Sequence, residues 1–174
     1  MTAPSGTLKA IAIGRGTQNY TCAPGSTNAP VPIGAKAELL DASCLLPLFP
    51  TAEAEQILNE IPGYLLNYDF AAISNSTIPV IGHHYFANTG LAAVNGTPTF
   101  DLGSRGFLSC KKVGDIKAPG NAGVDWLQLT AKAPSTGLTE VYRVETAKGQ
   151  APKSCAGQPE DIEVQYAAQY WFYD

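Results

Sequence analysis

The clearest pattern in the chain is its last one. From Ile162 to Tyr173 apolar and polar side chains alternate. Ile162, Val164, Tyr166, Ala168, Tyr170 and Phe172 fall on one face, and Glu163, Gln165, Ala167, Gln169, Trp171 and Tyr173 fall on the other. A period of two is the signature of a strand with one buried face. The segment from Val124 to Ala133 repeats it, with Leu127, Leu129 and Ala131 opposed to Trp126, Gln128, Thr130 and Lys132. Shorter strand candidates lie at 7–14, 18–23, 35–42, 78–86, 97–102, 107–113 and 138–147, separated by Gly-, Pro- and Asn-rich turns.

One segment has a different period. Ala54, Ile57, Leu58 and Ile61 follow the i, i+3, i+4, i+7 spacing of a helix face. Thr51 is placed to cap its first turn, Glu53 and Glu55 suit the positive end of its dipole, and Pro62 is expected to end it. So short a helix needs a surface to pack on. The pattern predicts a mainly β protein: an antiparallel β-sandwich or barrel of about eight or nine strands, with one short helix near residues 52–61. The 174 residues fit a single domain, 1–174, with residues 1–6 expected to be flexible and Met1 expected to come from expression.

Both tryptophans, Trp126 and Trp171, fall on polar strand faces. They form either an aromatic platform for a ligand such as a sugar ring or a second small core under the helix. The helix stripe favours the covered arrangement.

Composition narrows the function classes. Charged residues are only 15% of the chain, the net charge is −4, and no basic stripe is present. That argues against nucleic acid. No run approaches the roughly 18 apolar residues of a membrane span. Four cysteines (Cys22, Cys44, Cys110, Cys155) and two glycosylation acceptors, Asn19-Tyr20-Thr21 and Asn75-Ser76-Thr77, point to a secreted, extracellular chain.

Candidate chemistry is sparse. The two histidines, His83 and His84, are adjacent, so on a strand they face opposite ways and cannot share a metal ion. No metal site and no cofactor are expected. There is no nucleophile elbow and no phosphate loop. Arg143 and Glu145, two apart, share a strand face; they are read as a structural ion pair or, alternatively, as a ligand anchor. His84, Asp101 and Arg143 are the candidate ligand-binding cluster, with Tyr85 or Trp126 at its wall and Glu145 and Trp171 as further candidates.

Several segments carry a family resemblance. They include Thr17-Gln18-Asn19-Tyr20-Thr21-Cys22, Gly82-His83-His84-Tyr85, Pro98-Thr99-Phe100-Asp101, Asp125-Trp126-Leu127-Gln128-Leu129, Val141-Tyr142-Arg143-Val144-Glu145-Thr146 and the closing Val164–Tyr173 run. In this order they resemble a fungal and bacterial family of small secreted proteins of unknown function, whose fungal members often carry the label malate dehydrogenase. The residues speak against that label. Gly14-Arg15-Gly16 continues to Asn19 where the dinucleotide fingerprint needs Gly, and it leads into another strand candidate. The resemblance also implies the disulfide Cys22–Cys155, which leaves Cys44–Cys110. Local geometry agrees: a hairpin across the loop at 24–34 would put Cys22 and Cys44 at opposite ends, beyond the ~7 Å Cα separation a disulfide tolerates.

Three functions fit this reading. The first is a secreted binding protein for an extracellular glycan or small ligand. The second is a polysaccharide-active hydrolase or lyase using carboxylates with His84. The third is an effector-like protein recognised by a protein partner. The sequence leaves the oligomeric state open.

Overall fold

The computed structural model describes residues 1–45, 52–74, 76–87 and 96–174. Eight antiparallel strands follow one another around a closed barrel: β1 (Leu8–Thr21), β2 (Val31–Asp41), β3 (Val80–Ala87), β4 (Thr97–Asp101), β5 (Phe107–Ile116), β6 (Trp126–Thr136), β7 (Glu140–Lys148) and β8 (Asp161–Tyr173). The ring closes where β1 pairs with β8, from Leu8 opposite Tyr173 to Thr21 opposite Asp161. Each strand therefore has a hydrogen-bonded neighbour on both sides. This is not the doubly wound parallel sheet of a nicotinamide dehydrogenase.

The two strand candidates at 7–14 and 18–23 are one strand, β1. Gly14 and Gly16 suggest a turn in the sequence, yet in the barrel they permit close approach. A Cβ on Gly14 would come within 2.4 Å of the Tyr170 ring, and one on Gly16 within 1.9 Å of the Lys36 carbonyl. Small residues on β1 and β2 (Ala10, Ala12, Ala35, Ala37) thus make room for Phe100, Tyr166, Tyr170 and Phe172, which fill the interior with Leu39, Leu108 and Val141. Eight strands give a bore that side chains can fill. The predicted inner face of β8 is buried at Ile162, Tyr166, Ala168, Tyr170 and Phe172, whereas Val164 is only partly covered.

The helix α1 (Ala52–Leu65) lies outside the barrel, against β1, β7 and β8. Leu58 packs with Ile11, Ile13 and Ala42, joined by Ile61, Leu65 and the Trp171 ring. Trp171 therefore belongs to a second small core. Ile57, expected on the buried stripe, is half exposed; Ala54, Leu58 and Pro62 are the buried positions. The predicted cap Thr51 lies outside the described residues. A short helix, α2 (Phe70–Ser74), follows and had no clear sequence signal.

Pro62 does not end α1; it lies inside it. A proline has no N–H, so the Leu58 carbonyl four residues back loses its helical donor. The barrel supplies one. Gln169 Nε2 donates to Leu58 O at 2.9 Å and to Asn59 Oδ1 at 3.0 Å, while Gln169 Oε1 accepts from Trp171 Nε1 at 2.9 Å. This is why a glutamine is fully buried on the nominally polar face of β8. Gln169→Leu should cost about 2–3 kcal/mol, because it leaves buried polar groups without partners. Pro62→Ala restores an amide to Leu58 O, so the double variant should recover part of that loss in urea denaturation. Purely additive effects would contradict the assignment.

Of the expected disulfides, Cys22–Cys155 is formed, with Cα atoms 5.6 Å apart. Cys44–Cys110 is not. Cys44 is exposed just beyond β2, and Cys110 points into the barrel, where its Sγ donates to Pro98 O at 3.1 Å. An inward side chain in the middle of a filled barrel cannot reach a surface turn. Burial pushes the Cys110 thiol up to about 12, so it is unreactive at neutral pH.

Candidate functional site

The closed barrel sorts the predicted cluster onto two faces. His84 is inside. Its ring stacks on Phe100 with centroids 4.2 Å apart, and Nδ1–H donates to Thr99 O at 2.9 Å. Burial lowers its pKa to about 4, and the Arg143 charge adds to the effect, so the imidazole is neutral at pH 7. Its ring is a packed part of the barrel interior.

Arg143 is also inside, opposite Tyr170 in the β7–β8 register. Its Nε and Nη2 donate to the Asp125 carbonyl at 3.2 and 2.8 Å. The expected ion pair with Glu145 does not form. β7 carries a bulge between Val144 and Ala147, and Glu145 takes a positive φ of 46°. That breaks the two-residue parity, and Glu145 instead feels Glu55 of α1. Burial first, and that like charge second, raise its carboxyl pKa. Close to Arg143, the Tyr166 and Tyr170 hydroxyls lie 2.8 Å apart, and burial holds both phenols protonated.

Asp101 is on the outside, where Oδ1 accepts the Gly103 amide at 2.9 Å. Its register partner is His83, not His84. His84, Asp101 and Arg143 therefore do not meet, because adjacent strand positions face opposite sides. Trp126 heads β6 opposite Ile116, and its buried Nε1 has no hydrogen-bond partner among the described residues. Asn19 sits on the outer face of β1 opposite Glu163, with Oδ1 accepting the Thr17 hydroxyl at 2.8 Å. Asn75 lies outside the described residues.

The outer face of β8, β1, β2 and β3 carries an open groove of about 490 Å³. Its floor is built on Gly16, Ala37 and His84, and its walls on His83, Tyr85, Lys36, Glu38, Glu163 and Gln165, with Phe70 of α2 at the rim. Strand pairing fixes the order. Glu38 lies opposite His83 on one side and Asp101 opposite it on the other, so an exposed imidazole stands between two carboxylate-bearing positions. Lys36 Nζ and Glu163 Oε1 form an ion pair at 2.8 Å. Tyr85 and Phe70 expose their rings.

Behind the groove Arg15 is only 4% exposed. Its Nε donates to Leu65 O at 3.4 Å, its Nη1 donates to Gln165 Oε1, and its guanidinium lies 6.0 Å from the Phe70 ring centre. Arg15 thus anchors the end of α1 and the start of α2 to the barrel.

Of the residues singled out from sequence, the groove contains Tyr85, with His84 at its floor; neither tryptophan lines it. His83, Glu38, Lys36, Glu163 and Phe70 were missed. The signal for His83 was present: it shares the exposed strand face with Tyr85, whereas His84 shares the apolar one. Among the described residues no group of three or more His, Cys, Asp or Glu side chains is placed to hold a metal ion. No described helix is long and apolar enough to cross a membrane. No curated protein and no solved structure matches the chain. A family model described as "Protein of unknown function (DUF3455)" matches residues 3–174, and the chain belongs to that family.

Proposed function

We propose that this protein is an extracellular binding protein whose outer groove beside α2 holds a hydroxyl-rich ligand, a glycan or a small polar molecule. One observation carries the reading: exposed rings, Tyr85 and Phe70, rim a groove walled by side chains that accept and donate hydrogen bonds, Glu38, Glu163, Gln165 and His83. Rings that stack on an apolar sugar face, beside polar groups that fix its hydroxyls, are the chemistry such a ligand needs. The filled barrel supports the same choice, since the interior aromatics occupy the space a lipocalin-like ligand would take. The Cys22–Cys155 bridge suits an oxidising compartment, and in that setting the Asn19 sequon is a glycosylation acceptor.

Calorimetry against a panel of neutral cell-wall oligosaccharides tests the proposal. Tyr85→Ala should weaken binding at least tenfold while leaving the melting temperature unchanged. Equal binding by the variant would remove the groove from consideration. The hydrolase reading has one supporting feature, that Glu38 and Glu163 line the same groove. Release of reducing ends that is lost in Glu38→Gln would turn the binding site into an active site.

A further inference from the structure

A second groove, of about 470 Å³, lies on the other side of the helical segment, between α1 and β7. It is lined by Asn59, Glu60, Tyr64, Asn67, Glu145 and Thr146. Its chemistry repeats that of the first: amide and carboxylate side chains beside an exposed aromatic ring, with Tyr64 61% exposed.

Along the chain, the turn at 66–69 links the helical residues that line the two grooves. Asn67 lines one and Phe70 the other. Three peptide units separate them, so their Cα atoms lie within about 11 Å. The floors are equally close. Ala147, in the second groove, is the register partner of Ala167, and Gln165, two residues along the same face of β8, lines the first. On the crest of the turn Tyr68 is 62% exposed. Tyr64, Tyr68, Phe70 and Tyr85 thus offer exposed rings in both grooves and on the turn. Arg15, tied to Leu65 and stacked on Phe70, keeps that turn in place.

We infer that the two grooves are subsites of one extended site and that its ligand is a linear, uncharged polysaccharide long enough to cross the turn. The inference rests on the proposed binding function. Charge selects the class of polymer. Glu38 and Glu163 line one groove and Glu60 and Glu145 the other; the one lining cation among the described residues, Lys36, is already paired with Glu163, and the Arg15 guanidinium behind the wall is buried and held by Leu65 and Gln165. Polyuronates and sulfated glycans would be repelled. A chain occupying both subsites gains affinity because the second contact is intramolecular.

The test is affinity against chain length, with cello-, laminari- and chito-oligosaccharides of two to six units and oligogalacturonates as the acidic control. For at least one neutral series, affinity should rise at least tenfold from dimer to hexamer, and oligogalacturonates should bind at least tenfold more weakly. Tyr64→Ala should abolish the dependence on length, bringing hexamer affinity down to about that of the dimer; because the ring is exposed, the variant should fold. Dimer binding without length dependence, or Tyr64→Ala with the full dependence intact, overturns the two-subsite inference alone. Failure of every neutral oligosaccharide to bind overturns the binding function as well.

Discussion

Loss of the Cys22–Cys155 bridge is expected to cost the barrel about 4–5 kcal/mol, the value for a closed loop of this length. The bridge spans 133 residues and sits at the seam. β1 ends at Thr21 and β8 begins at Asp161, and the Cys22 amide already donates to Glu160 O at 2.8 Å. The cross-link therefore ties the first strand to the last, which are far apart along the unfolded chain. Cys22→Ser should shift the urea midpoint down and steepen the slope, because the unfolded chain without the cross-link exposes more surface. Thiol titration of the wild type should find Cys44 reacting at once, Cys110 only on unfolding, and two further thiols only after reduction. Four thiols in unreduced, denatured protein would contradict the bridge.

The second large effect is a dependence on pH set by His84. In the unfolded chain its imidazole takes up a proton near pH 6.5. In the barrel, burial and the Arg143 charge lower that to about 4. The unfolded state thus binds more protons between these values, and stability falls as pH drops from about 6.5 to 4, by about 3 kcal/mol in total. His84→Phe keeps the stack on Phe100 but has no proton to take up. It should lose about 1 kcal/mol at pH 7 with the hydrogen bond to Thr99 O, and it should flatten the slope in this window. A variant with the wild-type slope would place the titration elsewhere.

Much of the barrel was legible from residue alternation. The closing strand, with Tyr166, Ala168, Tyr170 and Phe172 inward, reads directly as β8, and α1 is visible in the spacing of Ala54, Leu58 and Ile61. Local rules failed where tertiary contacts outweighed them. Gly14 and Gly16 imitate a turn but serve packing, and Pro62 imitates a helix end but is tolerated because Gln169 supplies the missing donor. The candidate site was harder to read because it depends on register. A one-residue phase decides whether His83 or His84 faces out, and a bulge that no local pattern announces turns Glu145 away from Arg143. The groove also needs α2 beside β3, two elements that only the closed fold brings together.

The most direct test of the central claim is chemical-shift mapping of aromatic and backbone resonances as a neutral oligosaccharide is added. Ligand in the outer groove should move Phe70, His83 and Tyr85 and leave the barrel interior, Phe100, Tyr166 and Tyr170, unchanged. Shifts centred on Tyr166 and Tyr170, with Tyr85 and His83 unmoved, would place the ligand inside the barrel and contradict the account.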